Sequence, residues 1–191
     1  MKLLQIATAI LFFSLLGCGH KTIPSGGISK SANENQTSVS ILTYNIHHAN
    51  PPSKPGIIDV NAIANVIKQQ GVDVVALQEV DVQTSRSGVS LNEAEEIARL
   101  TGMTAFFAKA VDYGGGEYGV AILSKYPMKN MKNTPLPTDD ATKGEHRTLA
   151  TSAIVLPGNK NFMFTCTHLD AQRAHVNRQL QIEKILEDLK N

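Results

Sequence analysis

The segment that most constrains the fold runs from Val72 to Val80, a short and β-branched-rich apolar run interrupted by a carboxylate at Glu79. Gly71 precedes it as a breaker, and the apolar residues favour a buried strand. Gln78 and Glu79 stand at the C-terminal end of this predicted strand, where a sheet commonly delivers functional side chains to a crevice. A carboxylate is costly in a dry core unless it is paired or bound to a cation. Glu79 is therefore the first candidate site residue.

Length and charge narrow the class of protein. The 191 residues, 42% of them hydrophobic, suit a single globular domain. The formal net charge is +1, so no broad basic field indicates a nucleic-acid partner. The chain has no tryptophan and only 5% aromatic residues, which argues against a stacking platform for single strands.

The N-terminus has the layout of an export signal. Met1-Lys2 gives a positive start, residues 3–16 are mostly apolar but short for a transmembrane helix, and Leu15-Leu16-Gly17-Cys18 follows. These four residues resemble the lipobox of bacterial lipoproteins, which implies cleavage before Cys18 and a lipid on its thiol. The alternative is an ordinary cleaved signal with an incidental cysteine. The lipoprotein interpretation predicts an exported protein, anchored through its N-terminal lipid to a membrane of the bacterial cell envelope.

The chain is accordingly divided into a signal peptide (1–17), a flexible tether (18–38) and one domain (39–191), expected to be a monomer. The tether is rich in Ser, Asn, Gly and Lys, a composition that cannot bury a core. Once Cys18 is acylated, Cys166 has no disulfide partner. Its place in an apolar run predicts a small core residue rather than a nucleophile.

Periodicity predicts three helices and several strands. The helices run from Asp59 to Gly71, from a capping box at Ser90–Glu93 to Gly102, and from Ala171 onward. On the last of these, one apolar face is formed by Ile182, Ile185, Leu186 and Leu189. The strand candidates are 39–45, 72–80, 103–110, 119–124, 131–137, 147–156 and 161–167. Helices and strands alternate first and strands cluster later, which predicts a mixed α/β sandwich.

Polar side chains end three of the predicted strands: Asn45, Glu79 and His168. A carboxylate with a neutral amide oxygen suits a hard cation such as Mg²⁺. A nearby histidine can donate a hydrogen bond to a developing oxyanion. Metal-assisted hydrolysis of a phosphate ester requires such a set of groups.

Five different short motifs follow one another along the domain. They are Thr43-Tyr44-Asn45-Ile46, Leu77-Gln78-Glu79-Val80, the stretch Tyr118–Pro127, Arg147 at a strand start, and Thr167-His168-Leu169-Asp170. Together they resemble the endonuclease/exonuclease/phosphatase (DNase I-like) superfamily over the chain from Val39 to its end. The resemblance implies an α/β four-layer sandwich of two mixed β-sheets flanked by helices. It also implies a phosphoesterase that cleaves phosphodiesters or phosphomonoesters with a divalent metal, Mg²⁺ or Mn²⁺.

The resemblance also implies roles for single residues. Glu79 takes the place of the family's metal-binding Glu, and Asn45 that of the Asn that arranges metal and phosphate. His168 matches a histidine that contacts the phosphate in the transition state. Glu117 matches the acid that orients this histidine in the nucleases. Arg147 contacts the phosphate or supports the site.

The chain departs from the family pattern after His168. The family's Gly-Asp-x-Asn segment and terminal Asp-His pair, which supply the nucleophile-positioning Asp and Asn and the general-base histidine, have no match here. We therefore expect a fragment or a truncated product, incomplete at its C-terminus, with weak metal binding and impaired catalysis. Exposed strand edges and apolar helix faces are a further expectation.

Each candidate also has a purely structural interpretation. Glu79 reads as a strand-end acid, Asn45 as a turn residue and His168 as a structural histidine. Glu117, Arg147 and Asp170 read equally well as a turn acid, a surface cation and a helix N-cap. The adjacent pair His47 and His48 does not indicate zinc, because neighbours on a strand point apart and no third ligand is suitably spaced.

The sequence is also compatible with a second function, that of a non-catalytic surface lipoprotein that uses the scaffold as a binding module. For the enzyme, the phosphate-ester substrate is a nucleic acid, a phospholipid head group or a sugar phosphate. The sequence does not select among these three.

Overall fold

The computed structural model describes residues 38–190; the predicted signal peptide, Cys18 and the tether through residue 37 lie outside the described residues. The strands are β1 Ile41–Asn45, β2 Val74–Val82, β3 Thr104–Tyr113, β4 Gly116–Ser124, β5 Met128–Leu136, β6 Arg147–Val155 and β7 Asn161–Thr167. The helices are α1 Val60–Gln70, α2 Glu93–Thr101 and α3 Val176–Asp188. Short 3₁₀ turns occupy His47–Ala49, Asp140–Thr142 and Pro157–Asn159.

The strands form two sheets. The four-stranded sheet has the order β1-β2-β4-β3, with β1 parallel to β2 and the other pairs antiparallel. The three-stranded sheet has the order β5-β6-β7 and is antiparallel throughout. The predicted α/β class with two sheets and flanking helices is confirmed, with the difference that only the first sheet is mixed.

Strand β2 lies in the middle of the core and is buried on both faces. One face packs under α1 and α2 in a cluster that includes Val75, Leu77, Ile67 and Ile97. The other face meets the second sheet in a cluster that includes Val74, Ala76, Ile122, Ile154 and Cys166. This two-sided burial explains why the segment reads as a continuous apolar run rather than an alternating one.

Cys166 is a core residue, as the sequence predicts. Its Sγ donates a hydrogen bond to the carbonyl of Leu77 at 3.3 Å, across the interface between the sheets. Burial raises the pKa of this thiol to about 12. A thiol held in this protonated state is a poor nucleophile.

The first helix begins and ends where the sequence predicts, whereas the second ends at Gly102 as predicted but begins with a different cap. The Asp59 carboxylate accepts the Ala62 N–H at 2.9 Å, and Gly71 ends α1 at φ 64°. For α2 the predicted capping box is wrong, because Asn92, not Ser90, caps the helix. A β-bridge between Val82 and Asn92 keeps the chain extended up to Asn92 and so delays the start of the helix.

Helix α3 begins at Val176, later than predicted from Ala171, and it is anchored by polar contacts. The buried side chains of Asn177 and Gln181 accept backbone N–H groups of Asp139 and Asp170, each at 2.9 Å. Asp170 is itself buried rather than an N-cap of α3. The predicted exposed apolar face is present, with Ile182, Leu186 and Leu189 between 42% and 54% exposed. No helix within residues 38–190 is long and apolar enough to cross a bilayer.

Gly119 on β4 lies between two β-bulges, one in each neighbouring strand. The register shifts between Gln78 and Val80 on β2 and between Lys109 and Val111 on β3. A Cβ at position 119 would approach the Ala108 carbonyl oxygen to 2.1 Å. Only glycine therefore lets β4 approach β3 this closely at the bulge.

We expect Gly119→Ala to lower the free energy of unfolding by at least about 3 kcal/mol, since a new methyl group would meet rigid backbone. Urea titration followed by circular dichroism measures the loss. Gly71→Ala is the matched control: its new Cβ meets nothing within 4 Å, and only its φ of 64° is unfavourable, so about 1 kcal/mol is expected. Equal losses in both variants would contradict the steric argument.

Glu93, predicted as the last residue of a capping box, is a fully buried acid. Its Oε2 accepts the Asp81 N–H at 2.8 Å, and its Oε1 has no hydrogen-bond partner among the described residues. Burial raises the pKa of Glu93 to about 7 from an ordinary value of 4.5. The folded protein therefore holds a proton on Glu93 that the unfolded chain releases at lower pH.

This raised pKa predicts a pH-dependent stability. The contribution of Glu93 is fully present below pH 4.5 and is lost as the pH rises through 7, because the folded state then loses its extra proton. We expect the stability of Glu93→Gln relative to the natural protein to increase by about 3 kcal/mol between pH 4.5 and 8. Urea titrations across this range measure it, with Glu95→Gln, exposed on the same helix, as control. A constant difference would overturn the prediction.

Candidate active site

Asn45, Glu79 and His168 come together at one end of the two sheets. The Asn45 Nδ2 donates a hydrogen bond of 2.7 Å to Glu79 Oε1, and His168 Nε2 lies 4.0 Å from the same oxygen. Asn45 reaches this position because β1 is parallel to β2 and pairs Asn45 with Gln78. His168 arrives from the second sheet, directly after β7.

Glu79 is not at the end of its strand, contrary to the sequence interpretation. Strand β2 continues to Val82, and Glu79 is the extra residue of a bulge, with a left-handed φ of 58°. A bulge turns a side chain away from the regular alternation of a strand and is frequent beside functional sites. Here it directs the carboxylate into a cleft, between fully buried Leu77 and Val80.

The Asn45 amide is fixed at both ends and therefore fixes Glu79. Its Oδ1 accepts the His47 N–H at 3.0 Å while its Nδ2 donates to Glu79. The Glu79 Oε2 makes no hydrogen bond to a described residue. One carboxylate oxygen is thus held in place, and the Glu79 side chain lines the cleft.

This donor set can be tested against a divalent metal. Within residues 38–190 no cluster of three or more His, Cys, Asp or Glu side chains is arranged to hold an ion. Mg²⁺ does not need such a cluster, because it keeps several waters and is often bound by one or two carboxylates plus substrate phosphate oxygens. Glu79 fits that kind of site, and Asn45 supports it.

Arg147 is buried, with 4% of its surface exposed, so the surface-cation interpretation is wrong. Its Nη2 lies 2.6 Å from Glu145 Oε2, and its Nη1 lies 3.3 Å from His168 Nδ1. A guanidinium can only donate hydrogen bonds, so His168 Nδ1 accepts and its proton resides on Nε2. Burial and then the positive charge of Arg147 lower the pKa of His168. His168 is consequently a neutral side chain whose Nε2–H faces the side of Glu79.

Glu117 does not lie with the other predicted site residues. Its carboxylate lies 3.3 Å from Lys109 Nζ, and it does not line the cleft. The next residue on β4, Tyr118, does line it, because successive side chains of a strand point to opposite faces. The acid that His168 faces is Glu79.

The cleft has a volume of about 530 Å³ and extends well beyond the predicted residues. Its wall also contains His47, His48, Arg86, Tyr113, Tyr118, Glu145 and His146. Tyr118 belongs to a motif noted in the sequence, but Arg86 and Tyr113 carry no sequence signal and reach the cleft only through the fold. The expectation that His47 and His48 point apart is wrong. Both have positive φ, and their rings are 4.7 Å apart.

Comparison with known proteins agrees with this architecture. Residues 42–188 match the sequence profile of the Endonuclease/Exonuclease/phosphatase family. The match covers most of the chain, and the protein belongs to this family. A search among curated proteins gives no significant match.

Solved structures share the fold. An endonuclease/exonuclease/phosphatase from Beutenbergia cavernae superposes with a TM-score of 0.65 at 24% identity, covering 78% of this chain and 43% of that one. A family protein from Leptotrichia buccalis gives 0.61 at 17% identity, with 79% and 63% covered. The human Nocturnin catalytic domain, solved with a bound sulfate anion, gives 0.62 at 19%, with 80% and 58% covered. The chain thus spans between 43% and 63% of the length of these chains.

The tautomer of His168 is open to direct measurement. In the natural protein at pH 8, nitrogen NMR shifts should show Nε2 protonated and Nδ1 unprotonated, because Arg147 donates to Nδ1. Arg147→Met removes that donor, and we expect a mixture of both tautomers. Arg99→Met, a change to an exposed arginine on α2, should leave the His168 spectrum unchanged. A protonated Nδ1 in the natural protein would disprove the assignment.

Proposed function

We propose that this protein is a divalent-metal-dependent phosphoesterase whose site is the cleft around Glu79. The observation that supports this best is the chain of contacts Asn45–Glu79–His168–Arg147, which joins a metal-suited carboxylate to a neutral donor and a buried cation. The family to which the chain belongs consists of enzymes that hydrolyse phosphoester bonds, and they generally use divalent metals.

Each residue of the cleft would have a separate role in hydrolysis. Glu79, held by Asn45, would bind Mg²⁺ or Mn²⁺, and the bound ion would polarise the phosphate. The His168 Nε2–H is available to a non-bridging phosphate oxygen and stabilises the negative charge that develops there as water attacks in line. Arg147 positions His168 through Nη1 and is itself held by Glu145 through Nη2.

The substrate is proposed only as a class, a phosphate ester of a nucleic acid, a phospholipid head group or a sugar. We further propose that the protein is exported and held at a membrane of the cell envelope by a lipid on Cys18. An anchored enzyme would act on substrates at or near that membrane surface. We also propose that the protein acts as a monomer.

The metal site can be tested with and without turnover. Glu79→Gln keeps the size and the hydrogen bond from Asn45 but removes the charge, so we expect Mn²⁺ affinity to fall at least about tenfold. Electron paramagnetic resonance of free Mn²⁺ measures this. Glu95→Gln removes an exposed carboxylate of the same type on α2 and should bind Mn²⁺ like the natural protein.

Hydrolysis of bis(p-nitrophenyl) phosphate with Mg²⁺ tests the chemistry. His168→Ala should lower the rate about 100-fold, the usual cost of removing one transition-state donor, while leaving Mn²⁺ affinity within about twofold. Because impaired catalysis is expected of this chain, the rates are compared in a chain completed with the family's Gly-Asp-x-Asn and Asp-His motifs. Equal rates with the natural residues, with Glu79→Gln and with His168→Ala would remove the site assignment. A rate that is unaffected by chelation of the metal would remove the metal from the proposal.

A further inference from the structure

Arg86 has hydrogen-bonding capacity that the fold does not use. Its Nε and Nη2 donate to Oδ2 and Oδ1 of Asp81 at 2.7 and 2.8 Å, a two-pronged contact along one edge of the guanidinium. A guanidinium carries N–H groups on a second edge, formed by Nη1 and Nη2. That second edge makes no hydrogen bond to a described residue, and the side chain is 33% exposed where it lines the cleft.

The surroundings hold the guanidinium in one orientation. Asp81 is fully buried and also accepts the hydroxyl groups of Thr84 and Ser87, each at 2.7 Å. The guanidinium carbon lies 4.2 Å from the ring centre of Tyr113 and 5.5 Å from that of Tyr118. One edge and one face of Arg86 are therefore occupied, and the unpaired edge is presented in a fixed plane.

A second group on the cleft wall is also without a partner. The Nδ1 of His48 is buried and makes no hydrogen bond to a described residue. Buried polar atoms are nearly always paired, with protein, water or ligand. A role confined to closing the loop after β2 explains the contact of Arg86 with Asp81, and water can pair the exposed second edge, but such a role does not explain the buried and unpaired His48 nitrogen.

We propose that Arg86 forms a second phosphate-binding subsite in this cleft, so that the preferred substrates carry another phosphate besides the one that is cleaved. The unpaired edge offers two parallel N–H groups, which match two oxygens of one phosphate. The inference rests on the proposed function, in which the scissile phosphate lies at Glu79 and His168. It selects, among phosphate esters, molecules with two phosphates along one cleft.

The charges around Arg86 decide what kind of attraction to expect. Asp81 pairs with Arg86 and Glu145 pairs with Arg147, so the cleft has little net positive field. The preference for bisphosphates should therefore come from the two short-range hydrogen bonds that Arg86 donates. This preference should be less sensitive to added salt than a surface ion pair is.

The experiment compares binding of propane-1,3-diol bisphosphate with binding of 3-hydroxypropyl phosphate, by calorimetry of the metal-free protein in the presence of chelator. We expect Arg86→Gln to reduce the ratio of the two affinities about tenfold. Arg99→Gln removes an arginine that is exposed and ion-paired on α2, and it should leave that ratio unchanged. Butane-1,4-diol bisphosphate repeats the comparison at a longer spacing.

The outcomes separate this inference from the proposed function. Suppose that in Arg86→Gln neither bisphosphate binds more tightly than the monophosphate, while Glu79→Gln and His168→Ala leave hydrolysis unchanged. The subsite then stands and the catalytic assignment fails. If the affinity ratio is the same in Arg86→Gln and the natural protein, the subsite is disproved, whatever the rate of hydrolysis. Should Arg86→Gln not fold, the Nε–H signal of Arg86 in the natural protein decides: it must shift on addition of the bisphosphate more than of the monophosphate.

Discussion

The hydrogen bond between Asn45 and Glu79 is the contact on which the site depends. Glu79 interrupts a strand that is buried on both faces, with Leu77 and Val80 fully buried on either side of it. A carboxylate in such a place is unfavourable unless it is turned out of the core and given a partner. The bulge supplies the turn, and the parallel pairing of β1 with β2 supplies the partner. Local backbone strain and sheet topology thus act together at one residue.

Strand β2 carries a second acid, Asp81, and a third acid, Glu93, lies next to it at the start of α2. The protein stabilises these two acids in different ways. Asp81 remains charged because Arg86 and two hydroxyl groups donate to it, and these contacts hold its pKa below the ordinary value. Glu93 accepts only one backbone N–H, and its burial disfavours the charged form, so its pKa rises to about 7. The charged partner of Asp81 lies in the cleft wall, which connects the buried network with the surface that meets a ligand.

The two sheets are joined at the site by polar contacts as well as by the apolar core. Glu145 lies in the loop just before β6, and Arg147 begins that strand. His168 follows β7, whereas Glu79 and Asn45 belong to the first sheet. Each group orients the next: Glu145 holds the guanidinium, the guanidinium fixes the histidine tautomer, and the histidine N–H is left facing the carboxylate. An arrangement fixed before a substrate arrives requires little reorganisation during a reaction.

The sequence by itself determined the class of fold and the central strand, because burial on both faces imposes a continuous apolar run that can be read locally. It also determined the start of α1, since Asp59 caps its own helix within a few residues, and it singled out Asn45, Glu79 and His168 through short motifs. Only the tertiary structure decided the rest. The close approach of β3 to β4 depends on Gly119, the bulge at Glu79 depends on the pairing of β2 with β4, and the delayed start of α2 depends on a bridge to Val82. Arg86 and Tyr113 reach the cleft from segments without any motif. These features arise from contacts between residues far apart in the chain, and a local pattern carries no record of such contacts.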